Sequence, residues 1–267
     1  MDAQLLIICV LTFVIHLIGT LAYAVRIAGV RTRRIAVSFA LFNILVLISR
    51  TSNSFQGPFL AKRIEGNIVA GVSHALLSDF RWLLLSATAA TVIGALLIPT
   101  FQRIFSRAVL HFQVHRSIPQ LLLHAFFKGG LTQLKDVASV PAAANVTQMR
   151  VGHGISPWVV ALNIAAIALW TIGVFASLYA GYLNPELRVT SSTLSSVVNG
   201  AATIMMFVFI DPHMSVMTDD VVEGKISEPQ FRRAIVWLVG SRLAGTLLAQ
   251  LLLVPAAMVI VFIAEVM

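Results

Sequence analysis

Arg242 stands nine residues past Arg233, inside an apolar run that continues to residue 264. At about 1.5 Å per helical residue that spacing puts it roughly 13 Å into a bilayer. No Asp or Glu lies within four residues of it, so nothing on its own helix neutralises it. A guanidinium does not shed its charge, and an ionisable group inside a membrane is a functional-site hypothesis by default. The planar fork of Arg matches phosphate and pyrophosphate through bidentate, charge-assisted hydrogen bonds. The chemistry on offer is therefore the holding of an anion at mid-depth. Arg50 poses the same question. Fifteen uncharged residues, Ile35 to Ser49, separate it from Arg34. They span only about 24 Å, less than a hydrocarbon core of about 30 Å. Either Arg50 snorkels to the outer interface, or it is held for an anionic cargo.

Polar residues line up with these cations at steps of three, four and seven, which stack on one helix face. One line holds His16, Gly19, Thr20, Tyr23 and Arg26; a second holds Asn43, Arg50 and Asn53. A third holds Ser192, Ser196, Asn199 and Thr203, and a fourth holds Arg242, Thr246 and Gln250. Any single hydroxyl or amide here can equally serve as glue between helices, worth about 0.6 kcal/mol. Taken together the lines describe a polar, cation-lined cavity. Its candidate substrate-binding residues are Arg242, Arg50, Arg26, Arg31, Asn43, Asn53, Asn199 and Gln250. Asp79 and Arg81 flank the start of the third apolar span, where they would pair with each other or frame an outer mouth. His16 is either a proton relay or a hydrogen-bonded core histidine.

Catalytic patterns are missing from the sequence. It has no G-x-x-x-x-G-K-[ST] loop, no H-E-x-x-H motif and no G-x-S-x-G elbow. His111 and His115 are four apart but have no third ligand at a telling spacing, so no metal site is assigned. Glu265 is the one carboxylate within the apolar spans, at an extreme end, whereas hydrolysis of a lipid pyrophosphate wants acids or His beside the cations. The residues favour binding and moving an anion over cleaving it, with no cofactor implied.

The elements that position these residues follow from composition. Of 267 residues, 58% are hydrophobic and 11% charged, and the mean hydropathy is +0.90. A soluble domain would carry about 25% charged residues. The chain is an all-α polytopic membrane protein. A net charge of +8 invites a nucleic-acid reading, but the cations sit in short segments beside apolar runs, as topology signals and anionic-lipid contacts do. The lone Cys9 lies in an apolar run and supports no disulfide framework. The first apolar stretch follows Asp2 with no basic residue before it, and reads as a retained helix. Charge-poor runs predict six transmembrane helices, at about 3–25, 33–54, 80–101, 156–182, 190–210 and 234–264.

Thirteen Lys and Arg fall in segments 26–34, 102–155 and 211–233, against five on the opposite side. The positive-inside rule then puts both termini outside the cytoplasm. Within 102–155, residues 101–116 read as an extension of the third helix and 120–128 as an interfacial amphipathic helix. Shifting the chain on itself by about 156 residues superposes Tyr23 on Tyr179, Asn43 on Asn199 and Pro99 on Pro255. This predicts two inverted three-helix repeats, 1–101 and 156–267, joined by the helical connection 102–155, with loops at 55–79 and 211–233. The glycines and Pro58 of segment 55–79 would also permit a re-entrant hairpin. On the fourth span, Gly173, Ser177 and Gly181 form a small-residue ridge suited to close packing.

The stretch from His16 to Pro58 resembles the Amj family of bacterial membrane proteins. The A-G-V-R-T run at Ala28–Thr32 and the L-F-N…S-R-T-S-N run from Leu41 to Asn53 carry the resemblance. It implies an alternative lipid II flippase, moving the undecaprenyl-pyrophosphate-linked cell-wall precursor to the outer leaflet of the bacterial cytoplasmic membrane. The implied partners are lipid II and membrane lipids; a homo-oligomer is compatible with it. The resemblance carries over no site residues; from the placing of the cations themselves, Arg26 and Arg31 are expected to capture the pyrophosphate, Arg242 to hold it at mid-depth, and Arg50 to receive it near the outer face. The alternatives from the residues are an integral membrane enzyme acting on polyprenyl phosphates and a small-molecule secondary transporter.

Overall fold

The computed structural model describes residues 2–69, 74–115, 139, 141 and 155–267. Every element among them is helical, and six helices are long and apolar enough to cross a membrane. The first, α1 (Ala3–Thr32), is capped by Asp2, whose carboxylate accepts from the Leu5 N–H at 2.8 Å. It ends on Arg33 in the left-handed region (φ 52°), and the Arg34 N–H closes the last turn onto the Gly29 carbonyl at 3.0 Å. A Cβ on Gly29 would lie 3.1 Å from Ile35 Cα, so its absence lets the next helix start tight against the first.

That helix, α2 (Ile35–Val69), departs from expectation. Instead of stopping near residue 54 it runs for 35 residues through Gly57 and Pro58, and α3 starts at His74. The described residues of segment 55–79 are thus helical, where a loop was expected. The charges that read as loop signals are neutralised across helices instead. Arg63 donates to Asp79 of α3 at 2.6 Å and to Asp2 at 2.7 and 2.9 Å. The third helix, α3 (His74–His115), carries on through Pro99, so the expected extension over 101–115 is present. The amphipathic helix expected at 120–128 lies outside the described residues.

The second half opens with α4 (Pro157–Leu183). The fifth span is broken into pieces: a 3-10 turn at Pro185–Leu187, α5 (Arg188–Thr193), α6 (Ser195–Met205), a π turn at Met206–Ile210, and α7 (Asp211–Val222). The expected loop 211–233 is therefore mostly helix, with Pro212 in the first turn of α7 where its missing N–H costs nothing. The last helix, α8 (Glu228–Val266), starts with a capping box between Ser227 and Gln230.

In each half the first and third spans pack most closely: α1 against α3, and α4 against α8. The middle span of each half lies on the first, α2 on α1 and α6 on α4. The ridge on α4 receives the fifth span as expected, Gly173 against the Asn199 amide and Gly181 against Arg188. Three apolar cores result among the described residues. One lies at the Asp2 end around Phe80, Phe175 and Tyr179, a second at the Arg31 end around Met214, Phe231 and Leu238, and a smaller third around Ile18, Val25, Phe42 and Phe105. The fifth span and α2 bury the least of their surface, and between them the molecule opens.

Candidate anion-binding cavity

A cavity of about 380 Å³ lies between α2 and the fifth span, with α1, α4 and α8 behind it. Arg242 lines it from α8. The residue is only 8% exposed, and its Nε has no hydrogen-bond partner. Its guanidinium packs on the face of Gly19, where a Cβ would collide with it. Glycine at position 19 is thus what admits the charge between helices. Tyr23, one turn away, lines the same wall together with Asn163. Asn163 in turn donates to the Leu238 carbonyl and the Ser241 hydroxyl, fixing α4 to α8 beside Arg242.

Arg50 also lines this cavity, with Asn53 one turn on. It lies near the middle of α2, which continues for nineteen residues beyond it. The second span, expected to end near residue 54, thus runs on well past Arg50. Its cavity neighbours Ile15, Ile18 and Gly19 belong to the central part of α1. Neither Arg50 nor Arg242 has a carboxylate partner among the described residues. Arg26 lines the cavity towards the Arg31 end, but there it donates to Asp211 at 2.8 Å and lies 5.2 Å from the Phe39 ring centroid. The lining therefore holds three arginines and one acid, a surplus of positive charge with nothing inside to absorb it.

The remaining expected residues divide. Asn199 lines a small compartment of about 40 Å³ together with His16, Asn53, Gln56 and Trp170. This compartment shares Ile15, Asn53 and Trp170 with the main cavity. His16 Nδ1 and Asn199 Oδ1 are both buried there without partners. Thr203 reaches the cavity, whereas Ser192 and Ser196 donate to the carbonyls three residues before them, of Val189 and Thr193. Asn43 is exposed and lines neither space; Gln250 also lies away from both. Asp79 pairs with Arg63, not with Arg81, which is exposed. Arg31 turns away from this cavity and donates to Glu228 at 2.8 Å. Sequence reasoning missed Asn163, Trp170 and Asp211. The first two were signalled weakly, as an amide and an aromatic seven apart on an uncharged span; Asp211 was hidden in an acidic segment read as loop.

The family model for Amj, described as "Alternate to MurJ", matches residues 11–264. The chain belongs to the Amj family. The match carries the likeness of residues 16–58 across almost the whole chain. Among curated Amj proteins, the lipid II flippase Amj of Bacillus subtilis (strain 168) is 37% identical over 268 residues, 98% of this chain and 97% of that protein. No solved structure matches the chain.

Proposed function

We propose that this protein is a lipid II flippase of the bacterial cytoplasmic membrane, a transporter and not an enzyme, with the cavity between α2 and the fifth span as its head-group path. The observation that carries the proposal is Arg242: a buried guanidinium with no carboxylate partner, facing an open cavity, in a chain akin to a lipid II flippase. The pyrophosphate of lipid II is the anion such a group suits. Hydrogen bonds to charged groups contribute about 1.5–3 kcal/mol each.

With the Arg31 end in the cytoplasm and both termini outside, the head group enters beside Arg26. Capture there exchanges Asp211 for pyrophosphate on the same guanidinium. Arg242 and Arg50, both deeper, then take the anion together, and the polyprenyl tail stays in lipid through the gap between α2 and the fifth span. Arg31, facing elsewhere, drops out of the path. The two halves work as inverted repeats that rock about the site; the matching pairings of α1 with α3 and α4 with α8 support this. His16 and Asn199, with unpartnered atoms in the side compartment, form the site where a coupling proton would bind.

The test is purified protein in liposomes loaded with labelled lipid II. Lipid II that becomes accessible from the far side, chemically unchanged, supports the flippase. Cleaved product would establish an enzyme acting on polyprenyl phosphates, and no change in either readout would sink the proposal.

A further inference from the structure

A second cavity, of about 410 Å³, opens at the Arg31 end between α1, α3 and α8, and nothing in the transport path uses it. Its chemistry is graded along its depth. On each of the three helices the lining residue nearest that end is an arginine: Arg31, Arg103 and Arg232. Arg31 and Arg232 share one carboxylate, Glu228, at 2.8 and 2.6 Å, so these two cations outnumber the acid that holds them. Deeper in, the wall is aliphatic, with Ile27, Leu96, Ile235, Val236 and Val239. Beside the rim sits an acceptor without a donor. Gln102 is 7% exposed, and its Oε1 has no hydrogen-bond partner. Burying an unsatisfied polar atom is costly, a cost that a bound donor would offset. Ser139 closes the side of the cavity, held to Thr100 by hydrogen bonds of 3.1 Å.

We propose that this cavity binds an anionic phospholipid of the surrounding bilayer whose head group carries a hydroxyl. The phosphate lies across Arg31 and Arg232, the hydroxyl donates to Gln102 Oε1, and the start of one acyl chain follows the aliphatic wall. Basic pockets between membrane helices are suited to phosphorylated head groups. Because α1 belongs to the first half and α8 to the second, the occupant bridges the halves and steadies their packing at this end.

The test measures lipid retention by native mass spectrometry, and thermal midpoint, on the full-length protein in detergent. The probes are phosphatidylglycerol, phosphatidylcholine, undecaprenyl pyrophosphate and inorganic pyrophosphate. Phosphatidylglycerol is expected to be retained and to raise the midpoint by several degrees, with phosphatidylcholine and inorganic pyrophosphate having no effect. Arg232→Gln and Gln102→Leu should each weaken retention at least fivefold. Val236→Phe, which fills the cavity without touching charge, should do the same if it folds with the wild-type lipid-free midpoint. Arg242→Gln should retain the lipid normally, which separates failure of this site from failure of the transport site. Equal binding of phosphatidylcholine, or wild-type retention in both Gln102→Leu and Val236→Phe, overturns the proposal. So does saturation by inorganic pyrophosphate alone, or displacement by undecaprenyl pyrophosphate at lower concentration, which would make it a cargo site.

Discussion

The cavity is defined by one charge that its surroundings do not cancel. Arg242 packs on Gly19 and faces Tyr23, and no acid approaches it among the described residues. If its role is to bind pyrophosphate, Arg242→Ala should abolish lipid II flipping in liposomes while membrane insertion is retained. Arg242→Lys, which keeps the charge but loses the fork, should keep a small fraction of the rate. Full complementation of a flippase-deficient strain by the Ala variant would remove Arg242 from the mechanism. Gly19→Val tests the same contact from the other side: it should expel the guanidinium and lower both stability and transport. His16→Asn should leave cargo binding intact and flatten the pH dependence of the flipping rate; an unchanged pH profile would return His16 to a packing role. Residue chemistry of this kind was legible in the sequence. An arginine deep in an apolar run has few structural uses, and spacing alone located it. The partners of Arg26, Arg31 and Asp79 were not legible, because each comes from another helix: Asp211, Glu228 and Arg63.

At the scale of elements, the two spans that frame the cavity are those the sequence described least well. Gly57, Pro58, Lys62 and Arg63 carry local loop signals, yet α2 runs through all four. The override is tertiary: Arg63 is held by Asp79 and Asp2, and Leu60 and Ile64 are buried in the core at that end. Asp79→Asn, which leaves the Arg63 guanidinium to Asp2, is expected to cost about 1–3 kcal/mol. Arg81→Gln, on an exposed side chain, should stay within about 0.5 kcal/mol. Thermal unfolding in detergent distinguishes them, and equal effects would mean the ion pair does not hold α2 to α3. The fifth span is held by contacts rather than by bulk burial, with the Asn199 amide lying on Gly173. Gly173→Leu should overpack that contact by about 1–3 kcal/mol and shift α6 into the cavity. Helices α1, α4 and α8 were readable because their apolar runs are long and uninterrupted. The fifth span, with its π turn beside the cavity, gives no such signal.

For the molecule as a whole, orientation is the property on which the transport direction depends. In a Cys9→Ser background, Arg33→Cys should be labelled from the cytoplasm and Lys62→Cys from outside; both positions are exposed. The reverse pattern would invert the proposed direction of entry. The Asp2 end also carries a pH signature. The Leu5 N–H and the Arg63 guanidinium hold the Asp2 carboxyl below its ordinary value of 3.8. A value lower in the folded state means that Asp2 stabilises the fold fully above about pH 4, and that this contribution is lost as the pH falls through the folded value. The midpoint difference between wild type and Asp2→Asn should therefore close on acidification below that range. A gap that persists in acid would show that Asp2 acts by packing alone.

The ion pair between Arg26 and Asp211 has a consequence for discrimination. If cargo enters beside Arg26 as proposed, the bilayer surrounds that entrance with phosphodiester lipids that bear a single negative charge, in vast excess over any rare carrier lipid. A carboxylate already seated on the entrance guanidinium is a resident competitor, one that a singly charged head group has little advantage in displacing. A pyrophosphate, with more charge and more acceptor oxygens, does. Asp211→Asn would then weaken the filter, not the grip: lipid II flipping should persist in neutral liposomes and become inhibitable by phosphatidylglycerol. Selectivity at this entrance would reside in the acid that cargo must evict.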